Sequence, residues 1–189
     1  TGQGRLDRLG GDVEARCEQI TVAGRNADRG HRQRAHRRGV EQLRGLFELL
    51  ARFGRVIISN PGGDRIGRRP VNLHVEAMRA LGAQIEYRNG YYFATAPGRL
   101  RGAEVRFPFV SVMGTENAML AATLADGHTV IHPAAQEPEV DDLISFLQKM
   151  GADIERTSPD TIEIEGRRRL RGADHRVIPD RIEAGTFIV

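Results

Sequence analysis

Asp64 follows Pro61-Gly-Gly63 and precedes Arg65, Arg68 and Arg69. Two adjacent glycines let a backbone turn tightly and move. A carboxyl on such a loop can hold or pass a proton, and guanidiniums beside it can bind phosphate through paired N–H donors. Pro70 suits the first position of a helix, whose N-terminal dipole also favours an anion. The plain alternative is a solvated loop whose charges neutralise one another.

Other polar residues carry weaker signals. His74 falls on an apolar helical face, where a histidine is more often packed than catalytic. Glu116-Asn117 reads as the first turn of a helix, with dipole compensation as its ordinary role. Glu137-Pro-Glu139 with Asp141-Asp142 is an acidic helix start, and no histidine stands at ligand spacing to it, so no metal is expected. The glycine-rich dinucleotide and phosphate-loop motifs and the nucleophile elbow are absent from the sequence.

The elements that must position these residues follow from periodicity. Leu46, Phe47, Leu49, Leu50 and Phe53 have helical spacing, closed by Gly54, and Val56 to Ser59 is a short apolar strand. Beyond the loop, a helix opening at Pro70 places Val71, His74, Val75, Met78 and Leu81 on one face and ends at Gly82. Asn89-Gly90 between two short apolar runs predicts a tight hairpin. The pattern then recurs. Gly82-Ala-Gln-Ile-Glu86 returns as Gly151-Ala-Asp-Ile-Glu155, and Arg99-Leu-Arg-Gly-Ala103 as Arg169-Leu-Arg-Gly-Ala173. The preceding helix faces align as well: Val71, Val75, Met78 and Leu81 with Val140, Ile144, Leu147 and Met150. The offset grows by one across the hairpin, so the second hairpin holds an extra residue. An internal repeat of roughly 70 residues is the result. Its second helix starts near Gly114 and runs to Leu124 in one copy; in the other, Asp180-Arg-Ile-Glu183 opens it.

Composition bounds the rest. The net charge is +3, and every basic residue but Lys149 is arginine. Cys17 is the single cysteine, so neither an internal disulfide nor a thiolate metal cluster can form. No apolar run approaches the ~20 residues of a membrane span, and no signal-peptide core is seen, so a cytoplasmic protein with no membrane partner is expected. Residues 1–44 are Arg- and Gly-rich without apolar periodicity, which reads as disorder or out-of-frame sequence. Their basic stretch, residues 29–38, lacks aromatics for base stacking, and no nucleic-acid partner is expected.

Four blocks in order carry a resemblance. Pro61-Gly-Gly-Asp-Arg-Ile-Gly-Arg-Arg-Pro-Val-Asn-Leu-His74 resembles the active-site loop and following helix of the UDP-N-acetylglucosamine 1-carboxyvinyltransferases, a family of enolpyruvyl transferases. So do Ser111-Val-Met-Gly-Thr-Glu-Asn-Ala-Met119, Ala134-Ala-Gln-Glu-Pro-Glu-Val140 and Pro179-Asp-Arg-Ile-Glu-Ala-Gly-Thr-Phe187. The match covers about residues 45 to 189.

The resemblance implies a mixed α/β (α+β) fold, an enolpyruvyl transferase-type domain of repeated helix-and-sheet units around buried helices. It implies transfer of the enolpyruvyl group of phosphoenolpyruvate to the 3-hydroxyl of UDP-N-acetylglucosamine, the first committed step toward peptidoglycan, with no cofactor and no metal. Asp64 matches the position that is usually cysteine and acts as general acid. Arg69 matches a phosphate-binding arginine. Arg69, Pro70, Val71, Asn72 and Leu73 match the stretch that holds the uridine, with Asn72 in place of an expected Asp. Phe109, Val110, Ser111 and Val112 match a second nucleotide-binding stretch beside the diphosphate. Arg25 and Asn26 are the nearest candidates for a Lys-Asn pair that grips phosphoenolpyruvate, with arginine in place of lysine. The family's second domain has no counterpart here, so the chain is expected to carry half a site and no turnover of its own. The competing expectations are an inactive remnant that binds UDP-sugars weakly and a basic nucleic-acid-binding protein.

Overall fold

A computed structural model describes residues 49–59 and 71–189. A helical stretch, residues 49–53, leads into β1 (Arg55–Ser59), followed by α1 (Asn72–Ala80), β2 (Gln84–Arg88), β3 (Tyr91–Thr95) and β4 (Glu104–Arg106). Then come α2 (Val112–Ala122), β5 (His128–His132), α3 (Pro138–Lys149), β6 (Asp153–Ser158), β7 (Thr161–Glu165) and α4 (Arg181–Ile188). This is the mixed helix-and-sheet class expected.

The repeat is present down to individual hydrogen bonds. β1, β3 and β2 form one antiparallel sheet in that order; β5, β7 and β6 form the same arrangement in the other. Leu81 O accepts from Arg101 N at 2.9 Å, and its counterpart Met150 O from Arg171 N at 2.9 Å. Arg79 Nη2 donates to Ile85 O at 3.0 Å; Gln148 Nε2, at the matching position, donates to Ile154 O at 2.8 Å. Gly82 and Gly151 both leave their helices at positive φ, +90° and +96°, where a side chain would be strained. The first hairpin turns through Asn89 and Gly90 at φ 51° and 81°, the two-residue geometry whose twist suits antiparallel strands. The second carries its extra residue as a register shift between Arg156 and Ser158.

β4 interlocks the units. By sequence it ends the first unit, yet it pairs parallel to β5 and completes the second sheet. A parallel pair needs a crossover, and α2 is that crossover. Eight of the eleven residues of α2 are buried, so it is a core helix rather than an amphipathic surface one. Ala118, Ala121, Ala122 and Met119 pack there with Met78, Leu81, Ile131, Ile162 and Ile164 in one aliphatic core. α4, the matching helix of the second unit, buries none of its residues.

Two helix starts differ from the periodicity reading. α1 begins at Asn72 with Val71 as N-cap, rather than at Pro70. α2 begins at Val112 rather than near Gly114, because Ser111 Oγ accepts from Gly114 N at 3.1 Å and starts the helix two residues earlier. α4 begins as expected, with Asp180 Oδ1 accepting from Ile182 N at 2.9 Å and Glu183 N at 3.0 Å.

Candidate functional site

Asp64, Arg69, Pro70, Arg25 and Asn26 lie outside the described residues, as does the basic stretch 29–38. The two other predicted stretches are described, and the fold brings them together. Val71, Asn72 and Leu73 form the start of α1. Phe109, Val110, Ser111 and Val112 form the start of α2.

Their backbones differ. Val71 offers no side-chain cap, and Val75 N is the first amide of α1 to reach a carbonyl of its own helix, Val71 O at 3.1 Å. The amides of Asn72 and Leu73 precede the first intrahelical bond of α1. Such a start suits an oxyanion or a carbonyl oxygen. α2 is capped by Ser111, whose Oγ accepts from Gly114 N at 3.1 Å. Phe109 and Val110, 57% and 51% exposed, offer apolar surface at its mouth. Leu73 is buried at 4% and anchors the first stretch to the core.

One buried bond joins the two helix starts. Asn117 Nδ2 lies 3.0 Å from His74 Nδ1. His74 is the third residue of α1 and Asn117 the sixth of α2, so the contact ties the first turn of α1 to the second turn of α2. An amide nitrogen only donates, so Nδ1 accepts and the ring proton sits on Nε2. Thr115 Oγ1 in turn accepts from Ala135 N at 3.0 Å, fixing α2 to the turn before α3. Glu116 is buried at 9%. The periodicity reading places Glu116-Asn117 in a first turn, with dipole compensation as its role. The structure buries both in the second turn, since α2 starts earlier and is enclosed on all sides. The available signal was polar residues inside an Ala/Met-rich helix, a composition that encloses whatever it carries.

Burial holds the His74 imidazole below its ordinary pKa of 6.5 by penalising the charged form. Above pH 6.5 both folded and unfolded chains carry it neutral. Below that, the unfolded chain takes a proton the folded one refuses, so His74 removes stability as pH falls from 6.5 toward its folded-state value. The urea midpoint of the chain therefore drops further between pH 7.5 and 5.5 than that of His74→Gln. Equal drops would show that the ring is protonated as readily folded as unfolded.

The acidic start of α3 is engaged by side chains from elsewhere in the chain. Glu139 pairs with Arg181 at 2.9 Å, Asp141 with Arg156 at 2.8 Å and Asp142 with His175 at 2.9 Å. The Arg181 hydrogen bond holds the exposed Glu139 carboxyl below the usual range. Among the described residues no group of three or more His, Cys, Asp or Glu is placed to hold a metal ion, and no helix is long and apolar enough to cross a membrane.

Comparison with known proteins places this geometry. The family profile described as EPSP synthase (3-phosphoshikimate 1-carboxyvinyltransferase) matches residues 5–189, reaching back into the segment set apart by its composition. A UDP-N-acetylglucosamine 1-carboxyvinyltransferase of Coxiella burnetii is 55% identical over 144 residues, 76% of this chain and 33% of that protein. One from Caulobacter vibrioides is 55% identical over 154 residues, 79% of this chain and 36% of that protein. The chain thus spans about a third of the length of these curated relatives. The enolpyruvyl transferase NikO from Streptomyces tendae superposes with a TM-score of 0.63 at 25% identity, over 76% of this chain and 34% of that one. An EPSP synthase from Acinetobacter baumannii shares the fold at a TM-score of 0.56 and 22% identity. With the profile spanning nearly the whole chain and the repeated units shared with solved enolpyruvyl transferases, the chain belongs to the EPSP synthase family.

Proposed function

We propose that residues 45–189 form part of a UDP-N-acetylglucosamine 1-carboxyvinyltransferase and supply its nucleotide-binding wall. Two relatives 55% identical to this chain over the matched residues bear that name. The observation that carries the reading is that the helices opening at Val71–Leu73 and Phe109–Val112 are joined by the buried His74–Asn117 bond. Diphosphate oxygens suit the N-terminal ends of α1 and α2, and a uracil suits the mixed polar and apolar surface of Asn72, Phe109 and Val110.

In the reaction the 3-hydroxyl oxygen of the amino sugar bonds to the enol carbon of phosphoenolpyruvate, and inorganic phosphate leaves. Asp64 is assigned the proton transfer at the enolpyruvyl carbon and Arg69 the phosphate contact, both by position in the matching motif. A carboxyl can serve as acid where closure of a loop dries it and raises its pKa; neighbouring arginines pull the other way. Arg25 and Asn26 hold the phosphoenolpyruvate position in the same assignment. The residues named include no metal-ligand set, and the proposed chemistry requires neither metal nor organic cofactor.

Titration of the chain with UDP-N-acetylglucosamine, followed by amide NMR, tests the reading. Shifts concentrated at Val71–Leu73 and Phe109–Val112, saturating with a Kd on the order of 1 mM, are expected for half a site. An unperturbed spectrum at saturating nucleotide sinks it. No phosphate release from phosphoenolpyruvate is expected from this chain, because it spans only about a third of the length of these relatives. Salt-dependent RNA binding without nucleotide-sugar binding would instead favour the nucleic-acid reading of the basic stretch.

A further inference from the structure

Among the described residues Asn117 is buried and only half satisfied. It is 1% exposed, its nitrogen meets His74, and its Oδ1 has no hydrogen-bond partner. A leucine or methionine would fill the same space beside Ala118, Met119 and Met78 without that cost. Packing therefore does not account for an amide here. The position of the bond does. α1 and α2 belong to opposite ends of the first repeat, and their stretches of interest are separated by more than thirty residues of chain, so neither local sequence nor a sheet register sets their spacing. Apolar contacts between helices tolerate small slides; a bond of 3.0 Å between a fixed ring and a buried amide does not.

We propose that Asn117 and His74 are positioning residues for nucleotide-sugar binding, their bond fixing the distance between the starts of α1 and α2 so that one diphosphate-uridine moiety reaches both. Neither residue needs to touch the ligand. The inference rests on the nucleotide-binding reading above and adds to it which residues make two stretches into one site. The two helix starts serve one ligand only if their spacing matches it. Ser111 fixes the start of α2 along its own axis, and Thr115 fixes α2 against the turn at Ala135. The remaining freedom is the position of α1 relative to α2, and the His74–Asn117 bond removes it.

The test uses the whole chain, UDP-N-acetylglucosamine as probe, and amide NMR to read both stretches at once. Asn117→Leu and His74→Leu are each expected to weaken binding about tenfold, and the double variant no further than either single one, as for two partners in one interaction. The shifts at Val71–Leu73 and at Phe109–Val112 should follow a single isotherm in the parent chain and separate in the variants. His74→Gln, which can accept the same amide hydrogen, is expected to keep the parent Kd within about twofold. His74→Met is similar in size, cannot replace the bond, and is expected to bind like His74→Leu. The glutamine and methionine pair decides the matter if a leucine variant does not fold. Equal affinity of His74→Gln, His74→Met and the parent overturns the positioning role while leaving the nucleotide reading intact. Absence of binding by the parent chain overturns both.

Discussion

Gly102→Ala lowers the unfolding free energy of the chain by about 3 kcal/mol or more, whereas Gly172→Ala leaves it unchanged or raises it by up to about 1 kcal/mol. The two glycines occupy the same place in the repeat, within Arg99-Leu-Arg-Gly-Ala103 and Arg169-Leu-Arg-Gly-Ala173. Their surroundings differ. A Cβ on Gly102 would lie 2.2 Å from His128 O and 2.6 Å from both Gly127 C and His128 C. These are backbone atoms at the start of β5, which cannot rotate away as a side-chain tip can. The strand would have to retreat by roughly an ångström, and β5 is paired on both sides, to β4 and β7. Gly102 N also donates to Asp126 O at 2.8 Å, so the same retreat strains a hydrogen bond. Around Gly172 a Cβ meets nothing within 4 Å. Neither glycine sits at positive φ, so the difference is contact and not backbone conformation. Urea unfolding followed by circular dichroism measures it. Equal stabilities for the two variants would show that β4 does not lie against the start of β5 as described.

That contrast also marks how far the sequence could be read. Local pattern was enough for elements and their repetition. Met78 and Leu81 in one unit, Val140, Ile144 and Leu147 in the other, are buried as the periodicity predicts. Asn89-Gly90 makes its tight turn, and the one-residue growth of the offset is the irregularity between Arg156 and Ser158. What escaped was pairing between units. β4 is three residues long, and nothing in Glu104-Val-Arg106 says that it joins the sheet of the next unit. Its partner β5 is reached only through α2, so the pairing is a property of the crossover rather than of either strand. The same holds at the site. Phe109–Val112 and Val71–Leu73 were visible as stretches through a family likeness. The bond between His74 and Asn117 spans 43 residues and follows from the burial of α2 on all sides. Each residue alone looked ordinary: a packed histidine and a first-turn amide. Only the second description was wrong, because a Ser111 cap shifts the helix start and with it the turn on which Asn117 falls.

Arg99→Ala destabilises the chain by about 2–3 kcal/mol, and Arg169→Ala changes it by less than about 0.5 kcal/mol. These residues, too, are repeat partners. Arg99 lies across the end of the crossover helix. Its Nη2 donates to Ala125 O at 2.7 Å, Leu124 O at 3.1 Å and Arg167 O at 3.0 Å, and its Nε to Leu124 O at 3.3 Å. The Leu124 and Ala125 carbonyls follow the C-terminus of α2, where the helix dipole is negative and intrahelical donors have run out. A guanidinium there satisfies several acceptors from one planar group, and the bonds to α2 are half-buried. The ion pair with Asp126, 3.0 Å away but 76% exposed on the Asp side, contributes little, so Asp126→Ala has a small effect. Arg99→Lys is expected to recover less than half of the loss, since one ammonium cannot reach the carbonyls of Leu124, Ala125 and Arg167 together. Arg169 is exposed. The repeat gives it the residue type of a clamp, and the described residues place no helix end beneath it. Equal losses for Arg99→Ala and Arg169→Ala in chemical unfolding would mean that the carbonyls after α2 are satisfied without the clamp, and that the motif is retained for solubility alone.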